Sequence, residues 1–299
     1  MASMRDIKRR RGSIQSTQQI TKAMKLVSTV KLQRAKANAE KTKEYFTSVY
    51  ETVASLVKKA GNVQSPFLTG NGSEKKAVIV VTSNRGLAGG YNANIVKLLT
   101  RGSADTEASE AAGWNKEDVV IYAVGKKGRD TLARHGYEIA LDMPETMEAP
   151  MYADAMQLGK EVLSAYAGGE IGELWLAYTS FKNTVSHVPT LLKLLPVDTS
   201  KLDDKESTQE KKPQAIMNFE PPAEEALAML IPKYINSQIY GGLMQAAASE
   251  NAARMQAMDS ATSNAEEMIE ALSLQYNRAR QGSITQELTE IIAGAEAIS

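Results

Sequence analysis

Between Leu227 and Ala279, small or apolar residues recur at steps alternating between three and four: Leu227, Leu230, Tyr234, Ser237, Gly241, Met244, Ala248, Asn251, Met255, Met258, Thr262, Ala265, Ile269, Leu272, Tyr276 and Ala279. A repeat of about 3.5 residues keeps one stripe of a helix facing a partner helix, so this chain needs a second long helix. At about 1.5 Å per residue the stripe runs for about 80 Å. The chain itself supplies a match. Ser28, Leu32, Ala35, Ala39, Thr42, Phe46, Val49, Val53 and Leu56 keep the same alternation, in a stretch (3–58) without Pro and with Gly12 as its only Gly. Upstream, Ile7, Ile14 and Thr21 stay in phase, while Ile20, Met24 and Val27 drift beside them. Segments at opposite ends of a chain that folds back pair antiparallel.

Between the two seams the periodicity changes. AVIVVT (77–82), DVVIYAV (118–124), ELWLAYTSF (173–181) and VSHVPTLLKLLPV (185–197) read as strands, with helices expected over 91–101, 126–135 and 152–167. Strands alternating with helices predict a mainly parallel sheet, and the last two strands an antiparallel edge. The expected fold is therefore α plus α/β: a long antiparallel coiled coil of N- and C-terminal helices with an inserted Rossmann-like α/β domain. The expected divisions are a first helix (1–60), a loop (61–76), the α/β domain (77–198), a polar mobile linker (199–220) and a second helix (221–299). The stretch 102–117 is polar and reads as a loop. Pro232 is expected to bend or restart the last helix, and Gly241 with Gly242 suggests close backbone approach or a bend. The C-terminal segment outruns its partner by roughly 15–20 residues, on the order of 25 Å. That overhang carries Ile284, Leu288, Ile291, Ile292 and Ile298, which need a socket.

Composition narrows the function. Lys plus Arg and Asp plus Glu both number 35, which excludes a generally polybasic nucleic-acid binder. The balance hides an asymmetry: residues 1–43 carry twelve basic and two acidic side chains. Such an arm is either a solvated helix face or a surface running close to an acidic partner. There is no cysteine, hence no disulfide, thiolate metal site or Cys nucleophile, and His135 and His187 are too few for a multi-histidine metal centre. No apolar run reaches the roughly 18–20 residues that cross a bilayer, so no direct membrane insertion is expected.

No catalytic constellation is legible, and no cofactor or metal is expected. The turn SNRGLAGGYN (83–92) is G-x-x-G-G, not G-x-G-x-x-G. It reads as a tight strand-to-helix turn in which Gly86, Gly89 and Gly90 serve backbone freedom. The second reading is a stand-alone α/β enzyme that binds a nucleotide there and dimerises through its coiled coil. His135, beside Gly136, sits where a helix C-terminus favours a cation. His187, in a strand, reads as a structural histidine with its hydrogen bonds satisfied. Met244, Met255, Met258 and Met268 read as seam packing.

Three segments carry a resemblance. ARQGSITQELTEIIAGAEAI (279–298) is similar to the signature I-T-x-E-x-x-[DE]-x-x-x-G-A of the gamma subunit of F-type ATP synthase, matched by Ile284, Thr285, Glu287, Glu290, Gly294 and Ala295. ITKAMKLVSTVKL (20–32) resembles the family's N-terminal hallmark, and TSNRGLAGGYN (82–92) its S-x-[DN]-R-G-L-x-G-G-[LY]-N turn. The motifs lie at the start, middle and end in the family's order.

The resemblance implies a rotor shaft that makes no bond itself. Proton flow would turn a ring of c subunits and the shaft with it, driving three catalytic subunits through their states. Its partners would be the alpha and beta subunits of the catalytic hexamer, the epsilon subunit and the c-ring. Lys22, Met24 and Lys25 would pass an acidic loop of a catalytic subunit. Arg280, Gln281, Thr285 and Glu287 would make polar contacts with the hexamer, and Ile291, Ile292 and Ala293 would form an apolar bearing. Glu224, Glu225 and Tyr234 would lie at the foot, near epsilon and the c-ring. The chain lacks the cysteine-bearing insert of the plastid form and opens on its first helix. The expected setting is thus peripheral, on the cytoplasmic face of a bacterial plasma membrane.

Overall fold

The computed structural model describes residues 4–60, 65–101, 114–197 and 223–296. Its elements are helix α1 (Met4–Ala60), a single turn α2 (Pro66–Thr69), strand β1 (Lys76–Val81), α3 (Tyr91–Arg101), β2 (Val119–Val124), α4 (Lys126–Arg134), β3 (Glu138–Asp142), α5 (Tyr152–Ala167), β4 (Glu173–Phe181), β5 (His187–Leu195) and α6 (Ala223–Glu296). Short 3-10 turns precede β2 (Lys116–Asp118) and α5 (Glu145–Met147). Two compact units result, one of residues 1–29 with 254–299 and one of residues 30–253.

In the first unit α1 and α6 lie antiparallel. Thr21 and Thr262 share a hydroxyl–hydroxyl bond of 2.8 Å, Gln18 donates to Glu266 at 2.9 Å, and Lys25 meets Asp259 at 2.5 Å. Arg11 lies over the Tyr276 ring, 5.5 Å from its centre. Partner numbers on α6 fall as those on α1 rise, which is the expected fold-back. Ile7, Thr21, Ser28, Met258, Ala265 and Leu272 are buried along the seam. Beyond Ala279, every described side chain but the half-buried Ser283 is exposed.

The second unit holds a five-stranded sheet of order β3-β2-β1-β4-β5, with β5 alone antiparallel to its neighbour. The central strands are apolar on both faces because both are covered. One face carries Ile79, Val81, Leu174 and Leu176 against Leu158 and Val162 of α5, Ala54 and Leu56 of α1, and Ile231, Ile235, Ile239 and Leu243 of α6. The other carries Val78, Val80, Ile121 and Trp175 against Ile95 and Leu99 of α3 and Leu132 of α4. At the N-terminal ends of β1 and β4, Glu173 takes Lys193 at 2.7 Å and Lys76 at 3.1 Å, and the Trp175 indole donates to it at 3.1 Å.

The four strands expected from the sequence appear as β1, β2, β4 and β5, with ends shifted by at most two residues. β3 was not expected: Glu138–Asp142 alternates exposed and half-buried residues at the sheet edge, too weak a pattern beside the preceding helix. Part of the expected loop 61–76 is the turn α2. Of the bend or restart expected at Pro232, the restart does not occur, since α6 is one helix through that residue. Ile231 and Ile235 are fully buried on either side of it, and this packing offsets a proline cost of about 3 kcal/mol. Of the two glycines, Gly242 makes the close approach: a Cβ there would sit 2.6 Å from Leu176 Cδ2, while Gly241 faces open space. The expected linker 199–220, residues 102–113 of the expected polar loop, and Ile298 lie outside the described residues.

Candidate functional site

In a doubly wound sheet the ligand crevice lies beyond the strand C-termini where the strand order reverses. Here that place is between β1 and β4, and α6 is hydrogen-bonded to residues on both of its sides. The Tyr91 hydroxyl, at the start of α3, donates to the Ala246 carbonyl at 3.2 Å, and Ser249 donates to the Thr179 carbonyl at 3.0 Å. The side chains of the turn after β1 are turned inward as well. Asn92 bonds the Ser83 amide and hydroxyl, Asn84 accepts from the Lys126 amide at 3.1 Å, and Thr82 accepts from the Gly128 amide at 2.9 Å. Arg85, the turn's one cation, is exposed and lies 3.6 Å from Glu148. This turn bonds the sheet to its helices.

Its glycines differ from expectation. Gly89 has a positive φ of 56°, and so does Leu87 at 62°, but Gly86 and Gly90 do not. A position outside the turn that demands glycine is Gly125, after β2: its φ is 99°, and a Cβ would lie 2.0 Å from the Thr82 carbonyl oxygen. No glycine-rich motif marks it in the sequence.

The contact residues implied by the resemblance lie on the two long helices. Lys22 is exposed and Met24 half-buried, but the Lys25 ammonium is held by Asp259. Ile20, Leu26, Val27 and Val30 are each more than half exposed. The sequence reading missed Leu26 and Val30 as surface residues and took Ile20 and Val27 for a frayed seam. Their drift out of phase was the signal, because Ile7, Ile14 and Thr21 already fill the seam.

Near the other end, Arg280, Gln281, Thr285, Glu287, Ile291, Ile292 and Ala293 are all exposed. Thr285 donates to the Gln281 carbonyl at 2.9 Å, and Ser283 donates to Glu287 at 3.4 Å. Ile284, Leu288, Ile291 and Ile292 lie at helical spacing with exposures of 48–67%. Glu225 is exposed, and Glu224 lies in the first turn of α6. Tyr234 is a seam residue, tilted against Tyr50 with ring centres 6.2 Å apart. Burial raises its phenol to about 12, with Tyr50 adding and a Gln238 hydrogen bond opposing.

Among the described residues no group of three or more His, Cys, Asp or Glu side chains is placed to hold a metal ion. His135 Nδ1 lies 2.7 Å from the Thr131 carbonyl. Both ring nitrogens of His187 are buried without a hydrogen-bond partner, contrary to the expectation of a satisfied histidine.

The family model described as ATP synthase matches residues 3–298. An ATP synthase gamma chain of Lachnoclostridium phytofermentans is 63% identical over the full length of both chains. One from Alkaliphilus metalliredigens is 43% identical, covering 99% of this chain and 98% of its own. The ATP synthase gamma chain, sodium ion specific, of Acetobacterium woodii is 39% identical over 99% of both. In fold, the chain is similar to a chain of the Euglena gracilis mitochondrial ATP synthase, with a TM-score of 0.66, 19% identity, and coverage of 99% of this chain and 94% of that one. It is also similar to one from the central stalk and c-ring of the Tetrahymena thermophila enzyme, with a TM-score of 0.56, 24% identity, and coverage of 81% and 99%. On its own motifs, its fold and these full-length relatives, the chain belongs to the ATP synthase gamma-chain family.

Proposed function

We infer that the chain is the central rotor shaft of an F-type ATP synthase, a non-catalytic subunit that couples proton flow through the c-ring to the cycling of the catalytic subunits. The observation that carries this reading is the unpaired end of α6. A helix with four exposed aliphatic side chains in two turns does not stay in water when a complementary surface is available. The alpha and beta subunits supply that surface as the hexamer bore. Ile291, Ile292 and Ala293 are the apolar bearing, with Ile284 and Leu288 extending it, and Arg280, Gln281, Thr285 and Glu287 make polar contacts below. Small and aliphatic groups slide, because they hold no preferred angle through directed bonds.

Lower down, Lys22 and Met24 with Ile20, Val27 and Val30 face the acidic loops of the catalytic subunits. Exposed ion pairs contribute about 0–1 kcal/mol each, small enough to be crossed at every step. Lys25 takes part mainly through Asp259. Glu224, Glu225 and the neighbourhood of Tyr234 form the foot toward epsilon and the c-ring, with 77–198 as the inserted domain and 199–220 as its linker to the second helix.

As a gamma chain it is part of a membrane-bound complex. Among the described residues no helix is long and apolar enough to cross a membrane. We place it on the cytoplasmic face of the bacterial plasma membrane, attached through its partners. The test is purification of the ATPase from native membranes, followed by rotation of a bead fixed to this subunit. One copy per hexamer, turning with ATP, is the expected result. A catalytically active chain free of the other subunits would overturn the reading.

A further inference from the structure

Three hydrogen bonds converge on five residues of α6. The Tyr91 hydroxyl reaches the Ala246 carbonyl at 3.2 Å, Ser249 reaches the Thr179 carbonyl at 3.0 Å, and Ser180 donates to the Gln245 side-chain oxygen at 3.0 Å. They come from two different elements, α3 and β4, and Tyr91 and Ser249 are buried. None is needed to form α6, whose backbone bonds are internal. They join the helix to the sheet.

Their position matters because of what surrounds them. Below, α6 packs through Ile231, Ile235 and Ile239, whose branched side chains interlock with neighbours. Leu243 and Met244 continue that packing, and above them α6 offers the small residues Ala246, Ala247, Ala248 and Ser249, all buried. Small side chains allow close approach but present little relief, so packing there resists turning of the helix about its own axis only weakly. Hydrogen bonds are directional, and a turn of the helix by one residue, about 100°, breaks all three. This segment is also the last part of α6 inside its unit, which ends at Ala253. Twist arriving along the helix from its C-terminal side meets these bonds before it meets the isoleucines.

We propose that Tyr91, Ser180 and Ser249 are positioning residues that clamp α6 in rotational register on the sheet, and that torque passes between the helix and the α/β part of the rotor at this clamp. The inference rests on the shaft reading. In its absence the clamp would be ordinary packing.

The test uses the assembled complex with a bead on the α/β part and the hexamer fixed to a surface. Tyr91→Phe removes one hydroxyl and keeps the ring; Tyr91→Phe with Ser249→Ala removes two of the three bonds. At a catalytic dwell the angular variance of the bead reports torsional stiffness. The expected result is a rise of about twofold in the double variant and a smaller rise in the single one, since each bond acts as one of a few parallel restraints. ATP hydrolysis by the unloaded complex should be unchanged. Equal variance in parent and both variants would overturn the clamp while leaving the shaft intact. A parent bead that does not rotate would overturn the shaft reading itself. If the double variant does not assemble, the single variant decides by the same measurement, because a merely structural role lowers melting temperature without widening the dwell.

Discussion

Gly125 and Gly89 both have positive φ, yet they are constrained differently. Gly89 faces open space, so an alanine there meets only the left-handed backbone penalty. At Gly125 the added carbon would overlap the Thr82 carbonyl. Gly89→Ala should cost about 1–2 kcal/mol, Gly125→Ala more than about 3 kcal/mol, and Gly86→Ala less than about 1 kcal/mol, as at an unconstrained position. Denaturant unfolding of the three variants checks the order; equal losses would refute it. Glu173 carries a pH dependence. Burial pushes its carboxyl up, but hydrogen bonds from Lys193, Trp175 and Lys76 together outweigh that and hold it below the ordinary glutamate range. A carboxylate depressed in the folded state stabilises it above the unfolded pKa, and this contribution is lost as pH falls through the folded value. Stability of the parent should therefore fall more steeply than that of Glu173→Gln across the acid range below ordinary glutamate titration, and parallel curves would count against the cluster. At this scale the sequence was least informative: Thr82 is forty-three residues before Gly125, and nothing local links them.

The paired helices show what an element-level pattern specifies. In the seam, the Thr21 and Thr262 hydroxyls lie 2.8 Å apart, and each also reaches a carbonyl of its own helix, Gln18 and Met258. Each hydroxyl has one proton, so one bonds within its helix and the other across. Replacing one threonine by valine therefore leaves the other hydroxyl a partner, and should cost no more than about 1 kcal/mol. Since the chain has no cysteine, Thr21→Cys with Thr262→Cys gives a clean register test. Oxidation, with loss of two hydrogens to the added oxidant, should produce an intrachain disulfide in a product that is still a single chain; crosslinks only between chains would contradict the fold-back. The seam was readable because heptad spacing is a property of consecutive residues. The second buried stripe of α6, through Ile231, Ile235, Ile239 and Leu243, was not singled out, because a helix packed on two sides loses a single periodic face. β3 was missed for the converse reason: a short edge strand buries too little to mark itself.

For the whole molecule, the exposed end of α6 and the basic arm carry the predictions. Replacing Ile284, Leu288, Ile291 and Ile292 by serine should leave the melting temperature of the isolated chain nearly unchanged. Assembly with the hexamer should weaken severely, since each aliphatic side chain fully buried on binding contributes roughly 1.5–3 kcal/mol. Unaltered assembly would exclude the bearing role. On the arm, the two lysines should separate. Lys22→Glu should weaken coupling of hydrolysis to proton pumping at low salt, and added salt should reduce the difference. Lys25→Gln should act mainly through the lost Asp259 pair, with a small stability loss and little effect on coupling. Identical behaviour of both variants would mean that neither meets an acidic partner.

By itself the sequence determined the long helices, their antiparallel pairing, the α/β alternation between them and the overhang of the second helix. All of these follow from periodicity and chain length, which are local or additive properties. Its three motifs were also sufficient to recognise the family. Only the tertiary structure decided that α6 runs unbroken through Pro232, that it is hydrogen-bonded to Tyr91 and Thr179 beside the sheet, and that Lys25 is held by Asp259. It also decided that glycine is demanded at Gly125 rather than throughout the glycine-rich turn. Each of these depends on which distant group is brought within a few ångströms, and contact between residues far apart in the chain leaves no period in the sequence.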